Sequence, residues 1–150
     1  MSSVNRYQDS FVPDHLPPLD QWPDFINEVE CTGAFNVASE LVDKAVAEGH
    51  GDRVAIYSPN GNWTYQELLD KSNQIAYVLV EDLGLVSGSR VILRSLNNPM
   101  LAACWLAVLK AGGIVVTTIA MLRGKEINTI VEQSQATISL CDARLSEDMQ

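Results

Sequence analysis

Basic side chains are scarce in this chain: ten Lys and Arg stand against nineteen Asp and Glu, giving a formal net charge of -9. Nine of those nineteen acids fall within residues 1–50, where Arg6 and Lys44 are the only bases. Such a surface repels phosphate backbones and anionic headgroups, so nucleic acid and membrane are excluded as expected partners. Cysteine is equally sparse. Cys31, Cys104 and Cys141 are odd in number, far apart and in no CxxC or Cys/His spacing, which argues against a disulfide framework or a zinc site and fits a reducing, cytoplasmic setting. Long apolar runs are missing too. The opening MSSVNRYQDSF has no apolar signal core, and the most apolar stretch, Met100 to Val116, is broken by Lys110 and Gly112-Gly113.

Motifs that carry chemistry are also lacking. There is no GxSxG, no HExxH, no GxGxxG after a strand and no phosphate loop. His15 and His50 have no partner at ligand or triad spacing, and Cys104 and Cys141 read as small buried hydrophobes rather than nucleophiles. Gly84 to Arg90 leads from a helix into a strand, the reverse of a phosphate cradle, and reads as an ordinary turn. Lys110-Ala111-Gly112-Gly113 reads as a helix C-cap, an end that repels anions.

What is present is a regular alternation. The 150 residues, 47% hydrophobic and 19% charged, are enough for one α/β domain. Residues 1–33 form a leader in which Pro13, Pro17, Pro18 and Pro23 predict an extended path, with Phe11, Trp22 and Phe25 as anchors. Asn36 then caps a helix whose apolar face carries Val37, Leu41, Val42, Ala45 and Val46, stopped by Gly49. A hairpin follows: Arg53 to Ser58, a tight turn at Asn60-Gly61, and a return at Trp63.

Thr64 and Glu67 make a capping box for a helix with Leu68, Ile75, Ala76, Leu79 and Leu83 on one face, ending at Gly84. Val91-Ile92-Leu93 reads as a buried strand, and Asn98-Pro99 opens a helix over Met100 to Ala111 so apolar that it must be buried on more than one side. Ile114 to Thr118 and Thr137 to Cys141 are further strands. Lys125 to Gln133 is the helix between them, and Asp142 caps a last short helical segment. The β-α-β-α-β order predicts parallel pairing through right-handed crossovers: an α/β fold, a three-layer αβα sandwich with a mostly parallel sheet, plus the hairpin and the leader.

Several segments together resemble a known family. Gly51-Asp52-Arg53-Val54-Ala55-Ile56, TYQEL at 64–68, Gly88 and Val91, and LKAGGIVVTT at 109–118 stand in the order seen in the N-terminal subdomain of adenylate-forming enzymes. That superfamily comprises acyl- and aryl-CoA ligases, peptide adenylation domains and luciferases. The leader DSFVPDHLPPLDQWPDF, the run from Val78 to Gly113, MLRGKEI and LCDARL are similar to the 2-aminobenzoate- and benzoate-CoA ligase subgroup. Thr117-Thr118 departs from the proline common after the LKAGG strand.

The resemblance implies a reaction in which an aromatic acid and ATP give an acyl-adenylate and pyrophosphate, and coenzyme A then displaces AMP. It also implies that the phosphate loop, the adenine and ribose motifs and the catalytic lysine lie beyond the length of this chain. No catalytic, cofactor-binding or metal residue is therefore assigned, and ATP, Mg²⁺ and coenzyme A are expected of the parent family rather than of this chain. The expected organisation is a leader at 1–33 and a partial subdomain at 34–150, inactive alone, whose partner is the remainder of the ligase or a second copy. A stand-alone interaction module is the alternative. A small nucleotide-binding enzyme is disfavoured by the missing phosphate loop.

Overall fold

The computed structural model describes residues 8–21 and 35–149. Trp22, Phe25 and Cys31 lie outside them. In the described part of the leader, Pro13 does not prevent a helical turn, α1 (Phe11–His15). At the third helical position its missing N–H is one that has no intrahelical acceptor anyway. A 3₁₀ turn, Leu19–Gln21, follows.

From Asn36 the chain is helical to residue 50. The Asn36 Oδ1 accepts the Ala38 and Ser39 amides, and its Nδ2 donates to the Leu109 carbonyl at 2.7 Å. Two stretches, Ser39–Asp43 and Val46–His50, are π-helical. The buried stripe runs through Ala38 and Val42; of the expected face Val42 is buried, while Val37 and Leu41 are exposed. Gly49, at φ 83°, makes the left-handed break that ends the run.

Strands β1 (Val54–Ile56) and β2 (Trp63–Thr64) pair antiparallel. Their connection is wider than a two-residue hairpin. The Gly61 amide donates to the Ser58 carbonyl, so Pro59 and Asn60 occupy the turn centre and Gly61 its last position. The capping box forms as expected at the start of α2 (Tyr65–Tyr77): Glu67 N donates to Thr64 Oγ1 at 3.2 Å, and Thr64 N donates to Glu67 Oε2 at 2.8 Å. A π turn, Val78–Asp82, extends the helix and rotates Leu83 out to solvent, while Leu79 stays fully buried.

The main sheet has the order β4-β3-β5, all parallel, from β3 (Arg90–Arg94), β4 (Ile114–Thr118) and β5 (Ile138–Cys141). Helix α3 (Pro99–Lys110) links β3 to β4, and α4 (Gly124–Ser134) carries the chain from β4 past β3 to β5. These two crossovers run in opposite directions across the sheet, so right-handedness sets α3 and α4 on opposite faces. A 3₁₀ segment, Ala143–Met149, follows β5.

Two cores meet at α3. Ala107 and Val108 pack with Leu79, Leu85, Val91 and Leu93, while Ala103 and Leu106 pack with Ala38, Val42 and Leu68. The helix, apolar up to Lys110, is thus buried on two sides, each full Leu or Val burial worth about 1.5–3 kcal/mol. Its remaining side leaves Met100 and Trp105 partly exposed. At its end, Gly113 N donates to Val108 O at 2.8 Å and Gly112 adopts φ 77°, the C-cap expected of LKAGG.

Candidate functional site

In an open parallel sheet, ligands settle outside the carboxyl ends of strands, where neighbouring strands send their connections to opposite faces. Here β3 hands the chain to α3 and its neighbour β4 hands it to α4. Two hollows open at this edge. One, of about 470 Å³, is lined by Leu93, Ser95, Asn98, Cys104, Ser139 and Cys141 among others. The other, also about 470 Å³, lies along Leu41, Asn97, Trp105 and Thr117.

The local sequence explains this edge. The Asn98 Oδ1 accepts the Leu101 amide at 2.9 Å and its Nδ2 donates to Ser95 Oγ at 3.2 Å, so the cap that starts α3 also fixes the β3–α3 loop. On the far side the Asp142 carboxylate is engaged by Arg144, whose Nη2 lies 2.6 Å from Oδ2. The Arg144 side-chain hydrogen bond, and then its amide, hold the Asp142 carboxyl down to about 2. Burial pushes the Cys104 thiol up. Burial does the same to Cys141, opposed by the charge of Arg94. No cation opposes burial at Cys104, burial outweighs Arg94 at Cys141, and Asp142 is too weak a base to take a proton.

The arrangement suits binding by shape rather than chemistry. No lysine, arginine or histidine is among the residues lining either hollow, and the Asn98 Nδ2 already donates to Ser95 Oγ. Among the described residues no group of three or more His, Cys, Asp or Glu could hold a metal ion.

The remaining residues weighed in the sequence find structural places. His15 stacks on Phe11 with ring centroids 4.3 Å apart, and His50 ends the first helical run. Gly84 to Arg90 is an αβ turn closed by Leu83 N to Val78 O and Leu85 N to Leu79 O. Lys110 pairs with Asp43 across the first helical run.

Two residues of consequence were not singled out by the pattern: Arg90 and Arg94, which end the buried strand β3. Both are buried, Arg94 completely. Arg94 donates from Nη1 to Ile119 O at 3.3 Å, from Nη2 to Leu122 O at 2.8 Å and from Nε to Leu145 O at 3.4 Å. It therefore ties the β4–α4 loop to the segment after β5 at the carboxyl edge. A charge flanking a short apolar run is an ordinary strand end by pattern; its burial depends on distant carbonyls.

Comparison with known proteins defines the class. Residues 43–150 match the family model described as AMP-binding enzyme. The chain belongs to this family and is homologous to its adenylate-forming acyl- and aryl-CoA ligases. It is 26% identical over 122 residues to the 3-hydroxybenzoate–CoA ligase of Aromatoleum sp. (strain CIB), covering 81% of this chain and 23% of that protein. It is 41% identical over 86 residues to the acetyl-coenzyme A synthetase of Mycobacterium tuberculosis, covering 53% and 13%. The chain thus spans less than a quarter of the length of these relatives. Its fold is shared with the anthranilate CoA ligase AuaEII, solved in complex with anthranoyl-AMP, at a TM-score of 0.70 and 20% identity over 77% of this chain and 22% of that one. No helix among the described residues is long and apolar enough to cross a membrane.

Proposed function

We propose that the chain supplies the first α/β portion of a cytoplasmic ligase that activates an aryl acid of the 2-aminobenzoate or benzoate type. ATP converts the acid to an acyl-adenylate, and coenzyme A then takes the acyl group. The observation that carries this reading is the family match over residues 43–150, together with the coverage of 81% of the chain by a hydroxybenzoate ligase. The contribution of this portion is architectural: TYQEL starts α2, and LKAGG ends α3 and turns the chain into the amino end of β4. The chain alone is inactive, because neither hollow offers phosphate-binding cations or an activated nucleophile. Its natural partner is the remainder of the ligase.

Aryl-acid-dependent ATP–pyrophosphate exchange tests the reading, with benzoate, 2-aminobenzoate and acetate as substrates. The folded chain alone is expected to give no exchange above a mock-purified control. Substituted for the matching portion of the 3-hydroxybenzoate ligase, it is expected to sustain exchange with aryl acids and not with acetate. A soluble, folded chimera without exchange, or with a preference for acetate, would count against the assignment. Exchange by the isolated chain would overturn its inactivity.

A further inference from the structure

The leader is fastened to the body at one end of β3. The amides of Gln8 and Asp9 both donate to the Ser87 carbonyl, at 2.9 and 3.0 Å. The Asp9 carboxylate meets Arg90, Oδ2 to Nη1 at 2.5 Å, and its Oδ1 accepts the Phe11 amide at 3.0 Å. The Phe11 ring covers the guanidinium, whose central carbon lies 4.6 Å from the ring centroid. The Arg90 hydrogen bond, and then the Phe11 amide, hold the Asp9 carboxyl below its ordinary range.

The same guanidinium reaches into α4. Its Nε donates to Ser134 O at 2.8 Å and its Nη2 to Gln135 O at 3.0 Å, while Nη1 also donates to Gly88 O at 3.2 Å. Ser134 ends α4, and Gln135 follows at φ 51°, the single non-glycine residue with positive φ among the described residues. A left-handed glutamine is strained by about 1–2 kcal/mol, and the last carbonyls of a helix need outside donors. Arg90 provides those donors in a planar fork that lysine does not have. Arg90 is 6% exposed, so its charge depends on the Asp9 carboxylate and on the cover of Phe11.

We propose that residues 8–15 are a latch: their docking on Arg90 sets the C-terminal end of α4 and, through it, the entry into β5, so that leader attachment and order at the α4–β5 junction are coupled. The inference does not rest on the ligase assignment. Coupling of this kind is reciprocal, since each segment stabilises the arginine geometry that the other needs.

Hydrogen–deuterium exchange on the full chain tests it, comparing the native protein with Asp9→Asn, Phe11→Ala and Arg90→Lys. The first two change partly exposed leader side chains, and unchanged circular dichroism checks that the variants fold. Asp9→Asn and Phe11→Ala are expected to raise exchange about tenfold or more at residues 8–15 and also at 131–138, leaving β4 unchanged; the loss of a charge-assisted hydrogen bond is of that size. Arg90→Lys is expected to give the same pattern. Faster exchange in the leader without change at 131–138 would make the leader a passive appendage and overturn the proposal. So would no change at either segment, or a uniform rise that includes β4.

Discussion

A single absent carbon illustrates how tightly the end of α3 is built. A Cβ on Gly113 would lie 2.9 Å from Val108 Cγ1 and 3.2 Å from the Val108 carbonyl, and the latter is backbone that already accepts the Gly113 amide. Gly113→Ala is therefore expected to destabilise the fold by about 1–3 kcal/mol through overpacking, read as a lowered urea midpoint. An unchanged midpoint would mean that Val108 swings aside freely. In sequence, Gly112-Gly113 is visible as a helix stop. That the second glycine is needed for a close approach, and the first for its φ of 77°, is a distinction only the backbone path makes. Arg90 and Arg94 were less legible still, because most of what holds them is a set of carbonyls about two to four dozen residues away.

At the level of elements, local chemistry was the most readable. The reciprocal bonds of Thr64 and Glu67 follow from a hydroxyl and a carboxylate three residues apart, and Asn98-Pro99 marks the start of α3 in the same way. Thr64→Ala is expected to cost about 1 kcal/mol of thermal or urea stability and Thr64→Ser close to nothing; equal losses would show that the hydroxyl is not the cap. Helical faces were less legible wherever the backbone widened into π turns. The expected stripe assumes a fixed period, and the wider turn at Val78–Asp82 was enough to expose Leu83. The carboxyl-edge hollows could not be read from sequence at all. They lie where the β3–α3 loop and α3 meet the end of β5 on one side, and the first helical run and β4 on the other, which is a property of packing between distant elements rather than of any motif.

For the whole molecule, uncovered apolar surface is the dominant physical fact. Leu41 is 58%, Ile119 61% and Met121 82% exposed, and Met100 and Trp105 look out from α3. Each ~100 Å² of such surface forfeits about 2.5 kcal/mol of burial, which the net charge of -9 opposes through repulsion. Concentration-dependent self-association is expected in sedimentation, increased by salt and reduced by Leu41→Glu with Met121→Glu. A monodisperse monomer at all concentrations would argue for a finished surface and against an incomplete ligase.

The strand order also dictates a sequence of events in time. Strand β3 meets β4 across about two dozen residues of chain and β5 across about twice as many, and the added closure entropy of about 0.6 kcal/mol favours β4 as the first partner. Whenever β4 pairs first, the central strand has one side bare, and the speed at which β5 arrives decides how long that side remains open to a stranger's strand.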